Sequence, residues 1–133
     1  MTQASSQAWA FYREVAQKRE AWTLRDAGGF PEPMTSAGKR AMPFWSSRSR
    51  VEKIIKTVPA YRGFEPYGLT WQEFCDKWLP DLEKDGVLAG VNWSGAHALG
   101  YDIEPSRLKA NVEALIDNPD LSPNTSLERT RAG

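Results

Sequence analysis

Apolar residues recur along this chain in two rhythms, and the switches between them mark out its elements. Ala8, Phe11, Tyr12 and Val15 follow the i, i+3, i+4, i+7 spacing that gathers one helix face. Ser5 or Ser6 is placed to cap it, so a helix is predicted from Ser5 to about Arg19. Ala21–Asp26 turns to period two, with Trp22 and Leu24 on one side and Thr23 and Arg25 on the other. That is a strand, ended by Ala27-Gly28-Gly29. A loop with two prolines and Gly38 leads to a second strand, Arg40–Trp45. So short a connection predicts the two strands as antiparallel neighbours. Pro43 lacks an N–H and argues for an edge or strand-end position.

The second strand runs straight into a helix. Ser46, Ser47 and Ser49 are all candidate N-caps, and Ser49 with Glu52 fits a capping box. Val51, Ile54, Ile55 and Val58 form its apolar stripe, with Arg50, Lys53 and Lys56 roughly opposite. A break at Pro59–Gly63 precedes a short strand, Phe64–Tyr67, weakened by Pro66. Thr70-Trp71-Gln72-Glu73 is a capping box, with Leu69 able to staple onto Phe74. The helix that follows places Trp71, Phe74, Cys75, Trp78, Leu79 and Leu82 on one face, should kink or restart at Pro80, and stops at Gly86. Val51, Ile54, Ile55, Phe74, Trp78 and Leu82 are expected to meet in one core.

Val87–Trp93 and His97–Ile103 read as strands around a hairpin loop, Asn92-Trp93-Ser94-Gly95. Glu104-Pro105 opens a last helix whose apolar face is Leu108, Val112, Leu115 and Ile116. From residue 118 to residue 133 the composition shifts to Asn, Pro, Ser, Thr and Arg, which predicts a flexible C-terminal tail. The expected architecture is α+β: one compact domain over residues 1–117, with a mainly antiparallel sheet of about four to five short strands and about four helices.

Bulk composition removes several classes of function. Lys+Arg and Asp+Glu both number 17, so no overall charge draws the chain to nucleic acid or an anionic membrane. Nucleic-acid binding would rest only on Arg48, Arg50, Lys53 and Lys56. The single cysteine excludes an intramolecular disulfide and suits a reducing compartment. With a polar N-terminus and no apolar run of ~18–20 residues, a cytoplasmic location is expected. Six tryptophans either build a bulky core or leave rings at a binding surface.

Several of these segments are shared with a known family. Ala21-Trp22-Thr23-Leu24, Gly29-Phe30-Pro31, Pro43-Phe44-Trp45-Ser46-Ser47, Trp71-Gln72-Glu73-Phe74, Trp78-Leu79-Pro80 and Gly90-Val91-Asn92-Trp93 together resemble the bacterial family called domain of unknown function 2750. The resemblance covers roughly residues 8 to 116. It implies fold boundaries and brings no activity, catalytic residue or cofactor.

The chemistry legible in the residues is sparse. There is no P-loop, dinucleotide fingerprint, H-E-x-x-H or nucleophile elbow. Cys75, His97 and Asp102 invite a thiol–imidazole reading, but Cys75 lies on an apolar stripe and His97, the sole histidine, at a strand start. Asp81, Glu83 and Asp85, and likewise Asp102 and Glu104, read as solvated helix ends. No catalytic residue, metal site or cofactor is expected. The remaining candidate is the corner of Trp45, Ser46, Ser47, Arg48 and Arg50, joined by Asn92 and Trp93. Helix amides, hydroxyls, guanidinium groups and aromatic rings converge there. Two readings follow: a non-catalytic domain (adaptor, regulatory or immunity-type) that binds a protein partner or ligand, or a small enzyme or binder of an anionic metabolite at the Ser46–Arg50 helix start.

Overall fold

Thr2 caps the first helix, α1 (Gln3–Lys18), by accepting a hydrogen bond from Ser5 N, so the helix starts one turn before the predicted serine caps. Its apolar stripe buries Ala8, Phe11, Tyr12, Val15 and Ala16, and Arg19 in the left-handed region turns the chain into β1 (Glu20–Arg25). Then follow β2 (Ala41–Phe44), α2 (Arg48–Thr57), β3 (Glu65–Thr70), a third helix α3 spanning 71–85, β4 (Leu88–Ser94), β5 (Leu99–Ile103) and α4 (Pro105–Asp117). The computed structural model describes residues 2–123. From residue 124 on, the predicted tail lies outside the described residues, while Leu121 at its beginning packs against the core.

The expected α+β domain is present, with four helices and five strands among the described residues, but the strands form two small sheets where one was expected. β1 and β3 pair antiparallel; β4 pairs antiparallel with β5 and parallel with β2. The predicted antiparallel neighbourhood of β1 and β2 shrinks to one bridge, where Trp22 and Trp45 exchange N–H···O bonds of 2.8 and 2.7 Å. Pro43 explains why. A strand residue turns its N–H and C=O to the same side, and the Pro43 carbonyl faces β1, where it accepts from Thr23 Oγ1 at 2.8 Å. The missing N–H therefore falls on the β1 side, and a side-chain hydroxyl stands in for the ladder.

Pro80 acts on α3 in a similar way. The predicted kink or restart takes the form of a restart: a π-helical turn, Phe74–Trp78, follows Trp71–Glu73, and the α-helix resumes at Leu79–Asp85 with Pro80 in its first turn. Widening the helix just ahead of the proline accommodates a residue that has no N–H to donate.

β2 is buried along its whole length, and its two faces feed different cores. Met42 and Phe44, with Ala89 and Val91 of β4, meet α1, α3 and α4; the Phe44 and Phe74 rings stand 4.7 Å apart. Ala41 and Trp45, with Trp93, meet Leu24, Val51, Ile54, Val58 and Tyr61 on the α2 side. The single expected two-helix core is thus corrected. Phe74, Trp78 and Leu82 pack on one side, Val51 and Ile54 on the other, and Ile55 is only half-buried at the second cluster's edge. Periodicity told which face of each helix is apolar, not which side of the sheet receives it.

The β4–β5 pairing carries one more correction. Asn92 and Trp93 belong to β4, and residues 95–98 form the loop. Between the pairs Val91↔Tyr101 and Ser94↔Leu99, β4 holds one extra residue, a β-bulge, with Asn92 at φ +50°. Asn tolerates that left-handed conformation better than most residues. The extra residue breaks the alternation, so Trp93 points to the side opposite Val91 and lies over Gly90 and Gly100. A Cβ on Gly90 would overlap the Trp93 indole, which is 3% exposed and cannot swing aside. Gly90→Ala is therefore expected to destabilise the fold by about 1–3 kcal/mol. Urea denaturation measures this, and an unchanged midpoint would contradict the packing of Trp93 across β4.

Candidate functional site

The segment that leaves β2 and enters α2 sits between α1 and the β4 bulge, and its polar groups are satisfied there. Ser47 in extended conformation is the N-cap of α2, accepting from Arg50 N at 3.2 Å; Ser49, the predicted capping-box residue, hydrogen-bonds the Ser47 hydroxyl instead. Ser46 is fully buried, and its N–H donates to Asn92 Oδ1 at 2.9 Å. The Ser46 hydroxyl has one proton. It lies 2.6 Å from Glu14 Oε1 and 3.2 Å from Asn92 Oδ1, so the carboxylate takes the proton. Asn92 Nδ2 in turn donates to Ser46 Oγ at 3.0 Å and to the Gln7 carbonyl at 3.2 Å.

Arg50 completes this arrangement from the first turns of α2. Its guanidinium forks onto Glu14, Nε to Oε1 at 3.1 Å and Nη2 to Oε2 at 2.9 Å, while Nη1 reaches Gln7 Oε1 at 3.0 Å. Gln7 and Glu14 lie seven residues apart on one face of α1, so both point at the same junction. Burial pushes the Glu14 carboxyl up. Hydrogen bonds from Arg50 and Ser46, with the charges of Arg50 and Arg13, more than reverse that and hold it below the usual carboxylate range.

The predicted corner residues therefore divide. Trp45 is 1% exposed and Trp93 3%, and Trp45 Nε1 donates to the Trp93 carbonyl at 2.9 Å. Ser46 and Asn92 are buried, Ser47 and Arg50 half-buried. Arg48 is exposed, where it pairs with Glu52 at 3.2 Å and lies 5.7 Å from the Trp22 ring. The structure brings six of the seven together through hydrogen bonds and leaves Arg48 outside. Gln7 and Glu14 were missed by sequence reasoning. Their only signal was polarity on the flank of an otherwise apolar helix face.

The other candidate chemistry is dispersed. Cys75 sits in the π turn of α3, half-buried, and burial pushes its thiol up to about 11, far from a reactive thiolate. His97 is exposed in the hairpin loop, and the length of β5 separates that loop from Pro105, which lines a crevice with Cys75. Asp102 accepts from Trp93 Nε1 at 2.9 Å; burial raises its pKa and that bond lowers it, with a net rise. Glu83 Oε1 accepts from Ser106 N at 3.0 Å and so ties α3 to the start of α4. Among the described residues no group of three or more His, Cys, Asp or Glu is placed to hold a metal, and no helix is long and apolar enough to cross a membrane.

Open surface is concentrated elsewhere. A groove of about 630 Å³ runs between α2 and the start of β3, with Ser49, Glu52, Lys53 and Lys56 above Ile55, Phe64 and Pro66. Lys53 and Lys56 are exposed and have no ion-pair partner among the described residues. A second cleft of about 390 Å³ opens between the first turns of α1 and the β4–β5 hairpin, and Gln7 and Asn92 reach its wall.

Two half-buried carboxylates with opposite shifts make a paired test. Glu14 ionises more easily in the folded state, so its contribution is present above the unfolded pKa and lost as pH falls through the folded one. Asp102 has the reverse sign: its charged form is disfavoured by folding, so it costs stability at neutral pH. Glu14→Gln should lose about 1–3 kcal/mol at pH 7 by leaving Arg50 without its charged partner. It should also show a shallower loss of stability on acidification than the wild type. Asp102→Asn keeps an oxygen for Trp93 and should be at least as stable as wild type at pH 7. Urea titrations at neutral and acidic pH decide both, and equal pH profiles for wild type and Glu14→Gln would remove Glu14 from this role.

No curated protein matches the chain. The family model described as Protein of unknown function (DUF2750) matches residues 8–112, which takes in everything from the apolar face of α1 to the middle of α4, with the Ser46–Asn92 junction, the α2-side core and all but the C-terminal end of the other core inside it. The chain belongs to that family.

Proposed function

We propose that this protein is a non-catalytic binding domain, of adaptor, regulatory or immunity type, whose docking surface is the groove between α2 and β3. The observation that carries the reading is the coincidence of Lys53 and Lys56, both exposed, with a floor of Ile55, Phe64 and Pro66. Half-buried apolar groups beside ammonium groups that have no ion-pair partner among the described residues suit a partner segment with an apolar side chain flanked by Asp or Glu. A protein surface of that kind supplies both the desolvated contact and the charge.

The groups with reactive potential support the same reading. The Ser46 hydroxyl is buried and engaged by Glu14 and Asn92, and the Cys75 thiol is held protonated. A small anion at the Ser46–Arg50 helix start is less well supported, because the Arg50 fork is filled by Glu14 and the Ser47 hydroxyl caps Arg50 N. The lone cysteine agrees with work in a reducing compartment such as the bacterial cytoplasm.

Selection from a random displayed-peptide library, followed by titration of the selected peptides, tests this. Acidic peptides with a central apolar residue should be enriched, and raising salt should weaken them. Lys53→Glu combined with Lys56→Glu should reduce affinity roughly tenfold or more while the melting temperature stays the same, since both side chains are exposed. Selected peptides without acidic residues, or an affinity indifferent to the double reversal, would move the docking surface elsewhere.

A further inference from the structure

The two sheets end in edges of very different character. On β1, the Trp22 N–H and C=O are both taken by Trp45, so on the β3 side Trp22↔Gly68 is a non-hydrogen-bonded pair. By alternation, Pro66, Gly68 and Thr70 turn their backbone groups outward from β3. Pro66 has no N–H, and the Thr70 N–H is given to Glu73 Oε1 at 3.1 Å. That edge is closed to a further strand at both ends.

Among the described residues, β5 lacks such protection. Leu88 N donates to Arg40 O at 2.8 Å, which turns the backbone of Leu88 and Gly90 toward β2 and that of Ala89 and Val91 toward β5. Ala89↔Ile103 and Val91↔Tyr101 are then the hydrogen-bonded pairs, and Gly100 and Asp102 present N–H and C=O outward. β5 is the last strand of its sheet. Leu99, 68% exposed, and Tyr101, 39% exposed, stand on it two residues apart. The cleft between α1 and the hairpin opens beside Leu99.

We infer that β5 pairs antiparallel with β5 of a second copy of this chain, around a two-fold axis at Tyr101. The strand reads Leu99-Gly100-Tyr101-Asp102-Ile103, apolar at both ends and the centre, and so is nearly symmetric about Tyr101. In that register Gly100 faces Asp102 of the second copy and Asp102 faces Gly100, so both outward residues find hydrogen-bonded pairs. Leu99 comes beside Ile103 of the second copy, and the two Tyr101 rings meet on the axis. Each carboxylate lies opposite a glycine instead of another carboxylate, which avoids the like-charge opposition that penalises strand pairing. An isologous contact of this kind closes on itself and leaves no edge free. The second copy is favoured over an unrelated strand because the pattern complements itself.

Sedimentation equilibrium of the full chain should give twice the 15.0 kDa chain mass. Leu99→Lys with Tyr101→Lys should return it to the monomer mass with unchanged circular dichroism. A monomer at every concentration, or a dimer unaffected by the two lysines, would overturn the inference. The register has its own readout. In a Cys75→Ser background, Tyr101→Cys should self-crosslink on oxidation, because residues facing each other in a non-hydrogen-bonded pair stand ~4.5 Å apart, within disulfide reach. Leu99→Cys should not crosslink to itself, since Ile103 is its neighbour across the axis. Efficient crosslinking of Leu99→Cys with none of Tyr101→Cys would also reject the pairing.

Discussion

The chain leaves β2 with Ser46 fully buried, and the hydrogen bond from Ser46 N to Asn92 Oδ1 is what lets it do so. An orphaned amide at that depth costs about 1–3 kcal/mol, and a hydroxyl beside it adds to the burden. Asn92 answers both groups with one carboxamide, because its oxygen accepts from the Ser46 amide while its nitrogen donates to Ser46 Oγ. A carboxamide reaches that position only from the bulge: a regular β4 would carry its residue 92 on a different course and keep Trp93 on the Val91 side. The irregularity in β4 and the sharp exit from β2 are thus one feature seen from two strands.

From that bond the consequences run outward through charge. Once Asn92 donates to Ser46 Oγ, the hydroxyl proton is free to go to Glu14, and Glu14 is in turn the anchor for the Arg50 fork. The result ties α1, α2 and β4 by groups that tolerate little displacement. Such partly buried ion pairs add little net stability over apolar residues of the same volume, but breaking one member leaves its partner uncompensated. Their value here is in fixing the geometry of α2, whose stripe is short: Val51 and Ile54 alone are buried along the helix proper, with Val58 just beyond it. A ten-residue helix with so small an apolar contact is positioned by its first turn.

How far the sequence could be read follows the range of the interactions involved. The Thr70–Glu73 capping box and the apolar faces of α1, α3 and α4 depend on residues within one or two turns and appear as expected, whereas the alternation in β1 is blurred, with Thr23 as buried as Leu24 and Trp22 only half-buried. The side of the sheet on which a helix lands depends on residues dozens of positions away, and there the expectation of one shared core failed. Asn92-Trp93-Ser94-Gly95 carries the composition of a hairpin turn. The turn formed further on because the Asn92 carboxamide is held by Ser46 and Gln7 inside the sheet. At the candidate corner, the residues were legible as a group, but their inward direction was not, since a serine–arginine helix start looks the same whether its arginines meet solvent or a carboxylate from another helix.

The tryptophan surplus resolves in the same terms. Trp45 and Trp93 give their indole N–H groups to a carbonyl and a carboxylate, as buried indoles usually do. Trp22 lies across Gly68 and under Arg48, with an Nε1 that has no hydrogen-bond partner among the described residues. All three stand around the line where the two sheets touch, and there the ladder is a single residue pair. Large rings do at that seam what continuous backbone pairing does elsewhere: they fill the wedge between sheets that Pro43 prevents from zipping. Half of the tryptophans thus answer to a broken sheet, while Trp9, Trp71 and Trp78 pack partly buried against the other core, and the surfaces left for recognition are built from smaller means, a pair of lysines over an apolar floor and a strand edge with a leucine and a tyrosine.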